Sequence, residues 1–229
     1  MKKAVCLFSG GLDSSTVLYL ARTENERVIA LSVRYGQLHA KEIDCARLMA
    51  KDLGLEHHTI SISLPWGASA LLDPDIAMPF GRGESEMQRE IPPTYVPARN
   101  SIFLSLAASC AEATGCDSIY VGANALDYSG YPDCRPDYFD SFNQFIRLGT
   151  KAGREGKAIR VKAPLLKMSK GEIVALGARL KVPFEKTWSC YQGKEIPCGQ
   201  CDSCLLRAKG FREAGIKDPL TQDAASALS

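Results

Sequence analysis

The sequence predicts an α/β fold: a Rossmann-like parallel sheet with helices on both faces. Short apolar runs with strand character alternate with segments of helical periodicity past the midpoint of the chain. The first of these units joins a strand to a helix through a glycine turn, as parallel sheets do at their carboxyl edge. The 229 residues, 45% of them hydrophobic, are enough to bury one sizeable core.

The amino-terminal elements follow this alternation in order. Each predicted strand is a continuous apolar or β-branched run, and each predicted helix repeats apolar residues every three or four positions. The predicted elements are a strand over 3–8, a glycine turn over 9–13, a helix over 14–22, a strand over 27–35, a helix over 38–53 and a strand over 57–62.

The alternation continues in the second half. A helix rich in small residues is predicted over 101–114, ending at Gly115, and a strand over 118–121 follows. A later helix begins at Ser169, where Glu172 three residues on has capping-box spacing. We therefore expect one domain over residues 1–229.

Three segments have no periodic apolar face. Residues 64–98 and 124–136 are rich in Pro, Gly, Asp and Tyr, and loops of this length are typical of lids or binding loops. The tail, residues 218–229, is expected to be mobile.

The overall charge excludes an extended basic surface. Lys and Arg number 28 against 26 Asp and Glu, a net charge of +2, so we expect small-molecule substrates and no nucleic-acid partner. No apolar stretch reaches membrane-spanning length. The first apolar run, over residues 4–8, is too short and wrongly flanked for a signal peptide. Because the nine cysteines lack a disulfide pattern, we expect a reducing, cytoplasmic location.

A glycine turn between the first strand and helix has the features of a phosphate site. Its two glycines expose backbone amides, the helix N-terminus favours anions, and its serines can donate hydrogen bonds. Asp13 fits such a site when Mg²⁺ lies between the carboxylate and the phosphates. A tight turn with a serine cap is the alternative reading. The candidate ATP-binding residues are Phe8, Ser9, Gly10, Gly11, Leu12, Asp13, Ser14 and Ser15.

This turn, Ser-Gly-Gly-Leu-Asp-Ser, resembles the loop of the ATP pyrophosphatase superfamily, whose members have an adenine nucleotide alpha-hydrolase-like fold. The resemblance implies cleavage of ATP between its α and β phosphates and adenylation of a carboxylate or carbonyl. By the same resemblance, Lys170 is the second phosphate contact; an exposed first-turn lysine is the alternative.

Four cysteines near the carboxyl terminus predict a metal site. Cys190, Cys198, Cys201 and Cys204 lie within fifteen residues, and intervening glycines and a proline permit tight turns. Four thiolates form a closed structural zinc site, so we expect one Zn²⁺ per chain in a segment over 187–212. An iron-sulfur cluster is the alternative, although the further Cys-Pro of the ferredoxin run is absent.

An aromatic and acidic segment follows the predicted strand over 118–121. Its tyrosines could stack on a flat ring, and its aspartates could pair with a guanine-like edge. The stretch Asp-Tyr-Ser-Gly-Tyr-Pro-Asp-Cys-Arg, residues 127–135, resembles the signature of the QueC family of 7-cyano-7-deazaguanine synthases. Tyr-Gly-Gln-x-His at 35–39, Val-Pro-Ala-Arg-Asn at 96–100 and the cysteine cluster carry the same resemblance, which leaves residues 65–92 unmatched.

The resemblance implies a ligase that forms C–N bonds. Its substrates would be ATP with Mg²⁺, ammonia and 7-carboxy-7-deazaguanine, its product the nitrile 7-cyano-7-deazaguanine (preQ0) of queuosine biosynthesis, and its assembly a homodimer. Asp13, Lys170 and Arg99 are the catalytic candidates. The candidate substrate-binding residues are Tyr95, Arg99, Asp127, Tyr128, Tyr131, Asp133 and Arg135.

Two other functions fit parts of the pattern. An enzyme that adenylates a tRNA base would need an RNA-binding appendage, which neither the length nor the charge supports. A non-catalytic nucleotide-binding module would not need the intact loop over 9–14. His39 receives no acid-base role, because a lone histidine beside a helix start is more often a cap. Free ammonium is the expected nitrogen source.

Overall fold

The computed structural model describes residues 2–39, 41–83, 86–87, 90–125 and 131–221. Five strands form one sheet in the order β3-β2-β1-β4-β5, and every neighbouring pair is parallel. The strands are β1 (Lys3–Leu7), β2 (Arg27–Arg34), β3 (Glu56–Ser61), β4 (Ser118–Tyr120) and β5 (Arg160–Lys162). The predicted parallel sheet is therefore confirmed.

Helices cover both faces of this sheet. They are α1 (Leu12–Glu24), α2 (Lys41–Asp52), α3 (Arg99–Thr114), α4 (Pro136–Gly149), α5 (Lys151–Arg154), α6 (Lys170–Arg179) and α7 (Asp202–Ala214). Alternate residues of β1 point to opposite faces, as strand geometry requires. Cys6 packs with Val17 of α1 on one face, and Val5 packs with Leu104 of α3 on the other. The sheet is thus buried between two helical layers.

The strand order places a cleft beside β1. The chain leaves β1 toward β2 on one side, whereas β4 pairs with β1 on the other side. Ligands of open α/β sheets bind outside the carboxyl ends of the strands where the order reverses in this way. The loops that follow β1, β2 and β4 therefore surround the expected binding position.

The predicted elements agree with the structure to within a few residues. Strands β1, β2, β3 and β4 each end one residue earlier than predicted. Gly115 ends α3 in the left-handed region, at φ 67°. At the start of α6, Ser169 and Glu172 form both hydrogen bonds of the predicted capping box. Local sequence signals thus locate most of the sheet.

Other elements lie where the sequence gave no prediction. Helix α4, the three-residue strand β5 and helix α7 were not expected. The expectation for the tail is wrong at its first residue, because Asp218 is buried and pairs with Arg207 at 2.7 Å. Residues 222–229 lie outside the described part. None of the described helices is both long enough and apolar enough to cross a membrane.

Candidate active site

The glycine turn after β1 is held in a fixed shape by its own serines. The Ser9 and Ser14 hydroxyl oxygens lie 3.0 Å apart, and the Gly11 amide donates to Ser9 Oγ at 3.2 Å. Gly10 has φ 87°, and a Cβ there would overlap the Glu42 carbonyl oxygen of α2. The turn therefore requires glycine at this position and presents a preformed set of hydrogen-bonding groups.

A cavity of about 280 Å³ opens beside this turn, between the ends of β1, β2 and β4. Gly122, after β4, makes the close approach possible, since a Cβ there would lie 3.1 Å from the Ser14 amide nitrogen. Most of the predicted ATP-binding residues reach the cavity wall: Phe8, Ser9, Gly11, Leu12, Asp13 and Ser14. Gly10 and the buried Ser15 lie behind that wall.

Lys170 and Asp13 form an ion pair at the cavity. The Lys170 ammonium lies 3.0 and 2.8 Å from the two Asp13 carboxylate oxygens. Lys170 is the first residue of α6, and its side chain is 6% exposed against 22% for Asp13. The buried position rules out the exposed-lysine reading, and it places an ammonium and a carboxylate together at the start of α1.

Arg99 reaches the same cavity from the amino-terminal end of α3. Its guanidinium lies 3.5 Å from the Tyr35 hydroxyl and 5.9 Å from the centre of the Tyr35 ring. Ala98, which precedes it, has φ 54°, a left-handed conformation that costs energy in any residue with a Cβ. The chain thus holds a planar cation on the wall of the cavity that the glycine turn also lines.

Two predicted substrate contacts form an aromatic pair. Tyr131 lines the cavity, and its hydroxyl lies 3.1 Å from the Thr94 hydroxyl. The Tyr95 ring lies 5.5 Å from that of Tyr131, and the Tyr95 hydroxyl accepts a hydrogen bond from the Ala98 amide. Tyr95 is therefore placed to support Tyr131 and the turn before Arg99.

The other predicted substrate contacts lie outside the described cavity wall or outside the described residues. Asp133 is buried and accepts a hydrogen bond from the Asn100 amide at 3.0 Å, so it caps the start of α3. Arg135 is exposed at the start of α4. Asp127 and Tyr128 fall outside the described residues.

The four cysteines of the predicted metal site converge. The sulfur atoms of Cys190, Cys198, Cys201 and Cys204 all lie within 4.8 Å of one another. Backbone amides of Cys198 and Gln192 donate to the Cys190 sulfur at 3.3 and 3.4 Å. Hydrogen bonds from the Cys201 and Cys204 thiols hold the pKa of the Cys190 thiol well below its usual range. This arrangement could hold a metal ion, which binds thiolates.

The cysteine segment contacts the glycine turn and the long loop over 64–98. The Trp188 amide donates to the Gly10 carbonyl oxygen at 3.0 Å. On the loop side, Phe80 forms an antiparallel bridge with Cys201, and Arg82 forms an ion pair with the buried Asp202. The predicted lid is thus attached to the cysteine segment, which itself forms part of the cavity wall.

Comparison with known proteins places this chain in a family. The family model described as "Queuosine biosynthesis protein QueC" matches residues 3–215. The chain belongs to the QueC family. A QueC relative from Trichodesmium erythraeum, named 7-cyano-7-deazaguanine synthase, is 55% identical over 95% of this chain and 99% of its own length. A relative of the same name from Nostoc punctiforme is 51% identical over 95% of this chain and 98% of its own length.

Solved structures of other enzymes are less similar to this QueC chain. The U34-tRNA thiolase NcsA from Methanococcus maripaludis superposes with a TM-score of 0.48 at 16% identity, over 100% of this chain and 78% of that chain. The NMN synthetase from Francisella tularensis superposes with a TM-score of 0.45 at 16% identity, over 97% of this chain and 89% of that chain.

The sequence analysis of this QueC chain missed Glu42 on the cavity wall. Glu42 is in the first turn of α2, and its Oε1 atom would lie 3.2 Å from a Cβ built on Gly11. The available signal was an acidic residue three positions after His39, in the motif that follows β2. Ser189 and Tyr191, which flank Cys190 of the cysteine cluster, also line the cavity and were not predicted to do so.

Proposed function

We propose that this chain is a 7-cyano-7-deazaguanine synthase, a ligase that uses ATP to convert 7-carboxy-7-deazaguanine and ammonia into the nitrile 7-cyano-7-deazaguanine (preQ0). The observation that carries the proposal is one cavity that is lined by both the ATP pyrophosphatase-type turn and Arg99. Relatives of that name, at 51 to 55% identity over 95% of the chain, support the same substrate. The product would enter queuosine biosynthesis, as the family description indicates.

The reaction needs activation because a carboxylate repels nucleophiles and its oxide is a poor leaving group. Transfer of AMP to the carboxylate supplies a leaving group, and ammonia then displaces AMP to give the amide. A second ATP adenylates the amide oxygen, and loss of AMP and two protons gives the nitrile. Each adenylation releases pyrophosphate, so stabilisation of the charge on pyrophosphate is the common requirement.

The glycine turn and Lys170 meet that requirement in our proposal. The Gly11 amide and the hydroxyls of Ser9 and Ser14 hydrogen-bond one another in this structure and would turn to phosphate oxygens when ATP binds, while the start of α1 adds partial positive charge. Lys170 would exchange its Asp13 partner for a phosphate oxygen when ATP binds. Asp13 would then hold Mg²⁺, for which a partly exposed carboxylate at a phosphate site is a suitable ligand.

Arg99 is the proposed anchor for the acid end of the substrate. A guanidinium matches a carboxylate or an α phosphate in a bidentate way, and this one is already oriented by Tyr35. Tyr131 would pack against the deazapurine ring, supported by Tyr95. Asp127 and Tyr128 remain proposed contacts to the guanine-like edge. Asp133 would then position the start of α3, and Arg135 the start of α4.

We also propose that the cysteine site binds one structural Zn²⁺. Four sulfurs within 4.8 Å of one another, three of them on buried residues, suit a tetrahedral thiolate site, as do the backbone amides directed at Cys190 and Cys198. Bound zinc would hold the segment over 187–212 against a single domain over 1–229. The proposal further includes a homodimer that acts on small molecules in the cytoplasm without nucleic acid.

Mass spectrometry of a complete reaction tests the proposal. The mixture contains the protein, ATP, Mg²⁺, ammonium and 7-carboxy-7-deazaguanine, with Asp13→Ala as the matched control. We expect conversion to the nitrile that is lost in the control. No conversion by folded, metal-loaded protein would refute the substrate assignment.

A further inference from the structure

Glu42 places a carboxylate on the cavity wall next to the glycine turn. A Cβ built on Gly11 would lie 3.2 Å from Glu42 Oε1, so the carboxylate lies directly over that glycine. Within the described part of the chain, this carboxylate takes part in no hydrogen bond or ion pair. Structural carboxylates in a cavity are usually hydrogen-bonded. Glu42 therefore has free acceptor capacity beside the ATP site.

The charges around Glu42 define its position in the cavity. Burial raises the pKa of Glu42 to about 7, the Arg99 guanidinium opposes the rise, and the negative charges of Asp13 and Cys190 add to it. The other titratable groups on the described cavity wall are Tyr35, His39, Lys41, Tyr131, Cys134, Lys170, Tyr191 and Arg207. Glu42 thus lies beside the phosphate turn, close enough to feel the charge of Arg99, the cation that we assign to the substrate carboxylate.

The proposed function locates the reacting carbon in the same part of the cavity. The glycine turn holds the leaving pyrophosphate, the α phosphate adjoins it and the acid group is at Arg99, so the acyl–phosphate bond forms between the turn and Arg99. We infer that Glu42 accepts the proton that the ammonia nitrogen loses when it attacks the adenylated carboxyl group. This inference rests on the proposed function.

The step balances with residues and substrates already named. The nitrogen lone pair forms the C–N bond, the bond from the carbonyl carbon to the AMP oxygen breaks, and AMP leaves with that electron pair. One proton passes from nitrogen to a Glu42 oxygen, and the amide remains. The next turnover begins when the protonated carboxyl group releases this proton to solvent.

Other groups on the described cavity wall are less suited to this role. The Asp13 carboxylate is engaged by Lys170 through both oxygens. Burial raises the pKa of the Cys134 thiol to about 12, so it is protonated at neutral pH. A Cβ on Gly193 would meet the His39 ring, which places that ring against the cysteine segment. Glu42 is the carboxylate in this wall that combines access with an unused acceptor.

Glu42→Gln separates proton acceptance from adenylation, with the exposed Glu26→Gln as the control. Pyrophosphate exchange with 7-carboxy-7-deazaguanine, without ammonium, measures adenylation alone. We expect exchange within about 3-fold of the unmodified protein and amide formation from ammonium lowered about 100-fold, the usual range for loss of a general base. Hydroxylamine is a weaker base than ammonia, so the nitrogen of its adduct is more acidic and loses its proton to water more readily. Hydroxamate formation should therefore fall less than about 10-fold.

The pH profile is the second readout. At constant free ammonia, amide formation by the unmodified protein should rise through about pH 7, where Glu42 becomes ionised, and Glu42→Gln should lack this rise. Equal losses of exchange and amide formation, or equal losses with ammonium and hydroxylamine, would overturn the inference. No exchange by the unmodified protein would instead overturn the proposed function.

Discussion

At the residue scale, the buried Lys170 is fixed by its surroundings as well as by its charge. A Cβ on Gly210 of α7 would collide with Lys170 Cγ, so the stem of the lysine runs through a narrow passage. The ammonium emerges at Asp13. A longer, planar guanidinium would not fit this passage in the same way, because it needs a wider space and a different geometry.

Both Lys170→Met and Lys170→Arg should therefore lower adenylation. We expect pyrophosphate exchange to fall at least about 100-fold in each. The methionine removes the cation that stabilises the charge developing on the phosphates, and the arginine places its cation elsewhere. Lys167→Met, at an exposed lysine three residues earlier, is the control and should remain near the unmodified rate. Full activity of Lys170→Arg would show that charge alone is sufficient.

Glu42 should also affect stability in a pH-dependent way. Because its pKa in the folded protein is raised to about 7, folding favours the neutral carboxyl group, and this contribution is lost as the pH rises through 7. Glu42→Gln cannot ionise. Urea denaturation should show the variant more stable than the unmodified protein by on the order of 1 kcal/mol at pH 8, with little difference at pH 4. A constant difference at both pH values would contradict the shift.

At the scale of elements, the sequence predicted those strands and helices whose local signals agree with their burial. Strand β2 has six consecutive buried residues, and α6 carries its own capping box. Strand β5 has three residues with one buried, so pairing with β4 defines it and no local pattern does. Cys201 and Cys204 predicted a metal site, and no separate pattern indicated the helix α7 that begins at Asp202.

The candidate site divides in a similar way. The glycine turn and the cysteines were predictable because their chemistry is contained in contiguous residues. Glu42 was not, because its position depends on how α2 packs over Gly10 and Gly11, which are more than thirty positions away in the chain. Asp133 has the residue type of a base-pairing group, yet the fold uses it to cap α3.

A buried ion pair joins the segment that follows α7 to the middle of that helix. Arg207 donates to both Asp218 oxygens at 2.7 and 2.8 Å and also to the Thr187 hydroxyl. Both charged side chains are 6% exposed, so removal of one charge leaves the other buried without its partner. Asp218→Asn should lower the free energy of unfolding by about 3 kcal/mol in urea denaturation. Asp140→Asn, at an exposed aspartate, should change it by less than about 0.5 kcal/mol.

At the scale of the whole molecule, the cysteine segment over 187–212 links the glycine turn to the loop over 64–98. The Trp188 amide is hydrogen-bonded to Gly10, and Lys41 of α2 packs its ammonium 3.7 Å from the centre of the Trp188 ring. On the other side, Arg82 and Phe80 attach the long loop to Asp202 and Cys201. Three otherwise separate parts of the cavity wall therefore share one support.

Removal of the metal should consequently loosen the site as well as the segment that binds it. Hydrogen exchange after chelation should increase at residues 80–82 and at the glycine turn over 9–14, whereas β2 keeps its protection, because its contacts are independent of the cysteines. Cys198→Ser should reproduce this pattern with a lower thermal midpoint, and Cys116→Ser, a buried thiol outside the cluster, should not. Exchange confined to residues 187–212 would mean that the metal supports only its own segment. Because the Trp188 amide is hydrogen-bonded to Gly10, we also expect titration calorimetry to show weaker ATP binding after chelation, and unchanged binding would contradict a link between the cysteine site and the glycine turn.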